Sequence, residues 1–197
     1  MLILVRHGQT LTNAEGRLQG RSDPPLTELG RTQASALASV VHGATRVVCS
    51  PLRRARETAA ALGLGLPVEV DDRWIEISYG ELEGRRMSDV PDETWRDWRA
   101  DASWVPPGGE SLVAVGERVR AACRDLLDEA VHDDVVVVSH VSPIKAAVAW
   151  ALDVDDAISW RMFLDVASVC RIGQGRSGPS LRSFNDTAHL AHLAVRE

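Results

Sequence analysis

With 197 residues, of which 45% are hydrophobic and 25% charged, the chain can bury one good core, and one domain spanning residues 1–197 is expected. Its net charge of -6 at pH 7 excludes a non-specific nucleic-acid binder, whose grip on phosphates needs clustered positive charge. No apolar run is long enough to span a bilayer, and charge follows the short apolar start at Arg6, so neither a membrane segment nor a signal peptide is expected and the protein reads as cytoplasmic.

Leu2 to Val5 is a continuous apolar run too short for a helix, which fits a strand covered on both faces of a parallel sheet. Arg6 and His7 follow at its carboxyl end, the edge of an open α/β sheet where ligands bind. An arginine beside a histidine there points to an anion, most simply a phosphate, with a solvated turn as the plain alternative. Asn13 to Pro25 carries glycines, polar residues and a Pro-Pro pair, so it is expected to be a surface loop. Its Asn13, Arg17, Gln19 and Arg21 are all within reach of a ligand at the strand end. Thr27 is the expected N-cap of a helix through about Val41 that Gly43 closes.

The pattern repeats with a second buried strand over Arg46 to Cys49 and a helix opening at Ser50, with Pro51 in its first turn. Neighbouring helical residues point about 100° apart, so Arg53, Arg54 and Arg56 cannot all face one site. Pro67 to Asp71 reads as a third strand. Glu76, between Ile75 and Ile77, is either a partly desolvated carboxyl of the kind a general acid needs or the water-facing residue of an alternating strand. From Arg85 to Pro107 the chain is rich in tryptophan, with Trp95 and Trp98 about one helical turn apart. A small helical cap over the sheet is expected there, its tryptophans forming the cap's own core rather than a substrate cage. Leu112, Val115, Val119, Ala122, Leu126 and Leu127 trace the apolar stripe of a helix up to about Ala130.

Val135 to Val138 is the clearest strand, with Ser139 and His140 at its end and a helix from Val141 to about Leu152. His7 and His140 would then each end a buried parallel strand and face one another across one crevice. Val166 to Ile172 and Leu181 to Phe184 read as late edge or antiparallel strands, separated by a flexible turn from Gly173 to Pro179. Cys49, Cys123 and Cys170 lack close spacing and are expected to be reduced core residues. His189 and His192 lack a third nearby ligand, so no metal site is expected. The fold class that follows is α/β: a three-layer α/β/α sandwich with a mostly parallel central sheet and a small helical cap at 85–107.

Four blocks now stand in order: Arg6-His7-Gly8 with Asn13, Ser50-Pro51-Leu52-Arg53-Arg54 running on to Thr58, Glu76 ahead of Tyr79-Gly80 and Glu83-Gly84, and Val138-Ser139-His140. Together they resemble the histidine phosphatase superfamily, also called the phosphoglycerate mutase-like family. The resemblance implies that His7 is a nucleophile forming a phosphohistidine, that Arg6, Asn13, Arg54 and His140 hold the phosphoryl oxygens, and that Glu76 protonates the leaving oxygen. It selects Arg54 from the three arginines. It implies no metal and no cofactor, because neutral imidazole is a competent nucleophile and fixed cations stabilise the transferring group. Where the family usually has glycine after the second histidine this chain has Val141, whose N–H is still expected to face phosphate, with Gln19 as a further contact.

The expected activity is that of a metal-independent phosphomonoesterase acting on a small phosphorylated metabolite, with neither nucleic acid nor membrane as partner and the oligomeric state left open. Sugar phosphates, phosphoglycerate derivatives, cobamide nucleotide-loop precursors and phosphoproteins all fit. A phosphoglycerate mutase is the first alternative, with Arg85 or Arg86 holding a substrate carboxylate. A non-catalytic phospho-ligand binder is the second, and the intact His7, Glu76 and His140 count against it.

Overall fold

The structure, a computed structural model, describes residues 1–193. Its strands are β1 (Leu2–Arg6), β2 (Arg46–Cys49), β3 (Val68–Val70), β4 (Val135–Ser139), β5 (Val169–Gly175) and β6 (Gly178–Asp186). The helices are α1 (Leu11–Ala14), α2 (Glu28–Ala36), α3 (Ala38–Val41), α4 (Arg53–Ala61), α5 (Asp92–Ala100), α6 (Leu112–Ala130) and α7 (Val141–Leu152). One six-stranded sheet has the order β3-β2-β4-β1-β5-β6. The first four pair in parallel, β5 runs antiparallel to β1, and β6 antiparallel to β5.

Successive side chains of a strand point to opposite faces, and here both faces are covered. Leu2, Leu4, Val135 and Val137 pack into one core with α6 and α7, while Ile3, Val5, Val136 and Val138 pack into another with α3 and α4. The result is the expected α/β/α arrangement, and it explains why the central strands carry unbroken apolar runs. Val90 and Trp98 of the cap belong to the first core. Because β1 and β4 are adjacent, with Arg6 paired to Ser139, the two strand ends that carry histidine lie side by side.

Several boundaries differ from expectation. Thr27 does cap α2, its Oγ1 accepting from Gly30 N at 3.0 Å. The helix breaks at Leu37, however, because Leu37 N bonds Ala34 O and Val40 N bonds Leu37 O, tight three-residue bonds that interrupt the α ladder. Gly43 adopts no left-handed closing conformation, and α3 ends at His42 in right-handed geometry. Gly173 to Pro179 is not a flexible turn: Gly175 pairs with Gly178, so only Arg176 and Ser177 form the hairpin loop. The loop from Asn13 contains the end of α1, whose N-cap Thr10 forms a capping box with Asn13.

Candidate active site

The floor of the site is built where β1 and β4 end. His7 N donates to Ser139 O at 3.0 Å, which locks the strand ends together, and the His7 and His140 rings lie 5.1 Å apart. Gly8 has a steric reason for its place in the motif: a Cβ there would lie 2.3 Å from Gly30 O, so only glycine lets the start of α2 close on the strand end.

His7 Nδ1 sits 2.7 Å from Gly8 O. A carbonyl only accepts, so Nδ1 carries the hydrogen and Nε2 presents a lone pair. Arg54 Nε lies 3.2 Å from both His7 Nε2 and His140 Nδ1. His140 consequently donates through Nε2 to Ser50 Oγ at 2.7 Å. The remaining Arg54 nitrogens donate to Ser22 O and Gly20 O, each at 2.7 Å.

This packing sets the charge states. Burial, then Arg54 and Arg6, hold the His7 imidazole well below its ordinary range, so it is neutral at pH 7. Burial and the same two arginines, with His7, do likewise for His140. Burial also pushes the Arg54 guanidinium down to about 10, which still leaves it charged. Arg6 is anchored through Nη1 on Leu164 O at 2.6 Å, while its buried Nε has no partner. Gln19 repeats this pattern: Oε1 accepts from Thr10 Oγ1 at 2.8 Å and its buried Nε2 is unpaired. Both are donors waiting for an acceptor.

Glu76 faces this floor and is 5% exposed, so it is the desolvated carboxyl and not the water-facing residue of a strand. Its Oε1 accepts from Ile77 N at 2.9 Å and Ser142 N at 3.1 Å, and its Oε2 from Val141 N at 3.1 Å. The Val141 N–H therefore does not face a phosphate. First-turn N–H groups of a helix lack intrahelical partners, and a carboxylate at that positive end is a favourable acceptor; Glu76 has taken the place expected of the ligand.

A cavity of about 500 Å³ opens above the floor, and Arg6, His7, Asn13, Gln19, Arg54, Glu76 and Val141 all line it. His140 does not: it is fully buried behind Arg54. Arg17 reaches the cavity wall, whereas Arg21 pairs with Glu110 at 3.2 Å. Arg85 and Arg86 are exposed and outside the wall. The tryptophans serve both purposes weighed for them. Trp98 is 1% exposed and packs on Trp95, Trp104 and Trp160 with ring centroids 5.3–5.9 Å apart, yet Trp95, Trp98 and Trp160 also form one side of the cavity. Sequence reasoning missed Ser142 and Lys145, which line it too; the available signal was that Lys145 lies four positions after Val141, on the same helical face.

The chain resembles known proteins along nearly its whole length. The family described as "Histidine phosphatase superfamily (branch 1)" matches residues 2–187. The bifunctional protein Rv2228c of Mycobacterium tuberculosis is 39% identical over 198 residues, covering 96% of this chain and 54% of that protein. The chain thus spans about half the length of that relative. A probable phosphoglycerate mutase GpmB of Yersinia pestis is 33% identical over 207 residues, covering 98% of this chain and 96% of its own. Among solved structures, the mycobacterial glucosyl-3-phosphoglycerate phosphatase Rv2419c, in complex with VO3, superposes with a TM-score of 0.85 at 36% identity, over 94% of this chain and 98% of that one.

Proposed function

The chain belongs to the histidine phosphatase superfamily, and from that premise we propose that it is a metal-independent phosphomonoesterase acting through a phosphohistidine on a small phosphorylated metabolite. The observation that carries the reading is the fixed tautomer of His7: Nδ1–H on Gly8 O, and an unprotonated Nε2 whose lone pair accepts from Arg54 Nε at 3.2 Å and faces the cavity. In the proposed cycle Nε2 attacks phosphorus, the bond from phosphorus to the ester oxygen breaks, and Glu76 gives that oxygen a proton. Glu76 enters this step as the protonated carboxyl and leaves it as the carboxylate. The imidazole becomes cationic and its Nδ1–H bond to Gly8 O strengthens. Water then attacks the phosphohistidine, Glu76 takes a proton from it, the P–N bond breaks, and phosphate leaves with neutral His7 restored.

Arg6 and Arg54 lie beside the reacting nitrogen and supply fixed positive charge to the equatorial oxygens. Arg6 Nε and Gln19 Nε2, unpaired in this structure, are suited to complete the shell, with Asn13 beside them. His140 acts from behind, holding Arg54 and, through Ser50, its own orientation. Residues 85–107 are read as a cap within the same domain, because their apolar side chains join its core.

Phosphate release from a panel of phosphomonoesters in excess chelator tests the reading. Release should survive chelation and fall on the order of 10⁴-fold in His7→Ala, and the parent should trap an acid-labile phosphoryl group on His7. Chelator-sensitive release would overturn it. The GpmB-named relative favours a mutase as the second reading; conversion of 3-phosphoglycerate to its 2-isomer with a bisphosphate primer, without net release, would establish that instead.

A further inference from the structure

Of the 22 lysines and arginines in the chain, Lys145 is the only lysine, and it stands half-buried on the cavity wall. Its Nζ donates to Ser159 O at 2.9 Å. Among the described residues no carboxylate oxygen lies within 4.0 Å of it, although cations such as Arg46, Arg73, Arg118 and Arg120 are all paired with acids. The other cation on the wall away from the floor, Arg17, is committed to Glu15 at 2.7 Å and Gly84 O at 2.8 Å. A partly buried ammonium with one acceptor for three hydrogens has no carboxylate in contact with it, and Glu76, whose charge does reach it, is held by the first turn of α7.

Its position says where a contacting counter-ion belongs. Val141 N–H holds Glu76, the group assigned to the leaving oxygen. Lys145 lies one helical turn further along α7, about 5–6 Å of axial rise, on the same face. An anion at Lys145 would thus be a few bonds from the ester oxygen, on the alcohol half of the substrate. The two spare N–H groups match the two oxygens of a carboxylate, whereas the phosphoryl floor meets its dianion with two guanidiniums and several neutral donors. Trp160 and Phe163 line the cavity close in sequence to Ser159, and apolar neighbours strengthen such a pair by thinning the water around it.

We propose that Lys145 holds a carboxylate on the leaving alcohol, which makes the substrates phosphomonoesters of hydroxy acids. This rests on the phosphomonoesterase reading above. It also relocates the role expected of Arg85 or Arg86, which lie off the cavity wall.

The test compares 3-phosphoglycerate with glycerol 3-phosphate, which share a skeleton and differ by the carboxylate. The parent should favour 3-phosphoglycerate by about tenfold or more in kcat/KM. Lys145→Gln should lose about 10- to 100-fold on it, chiefly through KM and at least tenfold more than on glycerol 3-phosphate, and Lys145→Arg should recover part of that loss. No preference in the parent, or equal losses on both esters, would overturn the proposal.

The single lysine allows a readout independent of turnover. In His7→Ala, 3-phosphoglycerate should protect Lys145 from reductive methylation, read by peptide mass, where inorganic phosphate does not. Absent protection, or equal protection by phosphate, would also overturn it. Protection without His7-dependent phosphate release from either ester in the parent would sink the phosphatase reading and keep the carboxylate site; turnover without preference would do the reverse.

Discussion

At the phosphoryl end of the cavity each polar side chain is tied to another polar group: His7 to Gly8 O, Arg54 to two histidines and two carbonyls, Glu76 to three backbone N–H groups. On the cap side the wall is made by ring on ring, with Trp95 stacked on Trp98 at 5.9 Å and Trp160 edge-on to it at 5.4 Å. The two ends therefore answer different demands. Hydrogen bonds fix direction, which in-line displacement needs; aromatic packing fixes volume, which decides which alcohols fit. A change to one end should consequently alter chemistry, and a change to the other stability and choice of substrate.

Trp98→Ala separates the two most strongly. Removing a fully buried indole with four aromatic neighbours, Tyr79, Trp95, Trp104 and Trp160, should cost about 3–5 kcal/mol of stability, measured by chemical denaturation. The floor makes no hydrogen bond to the cap tryptophans, so kcat on a small ester should fall far less than in His7→Ala. Comparable losses of kcat would show that the two ends are mechanically coupled and break the contrast.

The same contrast governs what could be read from the sequence. The floor was legible because its residues follow directly from unbroken valine and leucine runs: once Leu2 to Val5 and Val135 to Val138 are parallel strands, Arg6, His7 and His140 fall at the same edge of the sheet, and the sheet order then makes their strands neighbours. What the sequence concealed was competition between remote segments. Glu76 and Val141 are 65 positions apart, and nothing local to either shows that the carboxylate takes the N–H expected for phosphate. Arg21 and Glu110 conceal their pairing in the same way. The cap was harder still, since the same tryptophans serve its packing and the cavity wall, and periodicity does not distinguish these uses. The breaks at Leu37 and Gly43 and the Gly175–Gly178 hairpin are local errors of a few residues that leave the sheet order untouched.

Glu76→Gln sharpens the comparison within the floor itself. The amide keeps the size of the carboxyl but cannot exchange a proton, so kcat on an alkyl phosphate should fall about 10²- to 10³-fold. With p-nitrophenyl phosphate, whose leaving oxygen needs no proton, the phosphoryl-transfer step should fall much less, measured as the pre-steady-state burst of nitrophenol. Equal losses on both esters would mean that Glu76 acts by holding Val141 and Ser142 in place and not by moving a proton.

The smallest effect tests the burial of the floor through pH. His7 and His140 are held well below the ordinary imidazole range, by burial first and by Arg54 next. Below about pH 6.5 the unfolded chain protonates these histidines while the folded protein does not. Stability should then fall as pH drops through that value, by up to about 1.4 kcal/mol per pH unit for each such histidine, and neither should contribute above it. His140→Gln should remove one histidine's share of the slope, read from denaturation at pH 7.5, 6.5 and 5.5. A carboxylate titrating elsewhere contributes equally to parent and variant and cancels in the difference. Over the same range kcat/KM should hold, because the nucleophile keeps its lone pair: the floor trades acid stability for a histidine that stays neutral. An unchanged slope in His140→Gln would mean that the histidine takes up its proton as readily folded as unfolded, and the hydrogen-bonded floor would then be no drier than the protein surface.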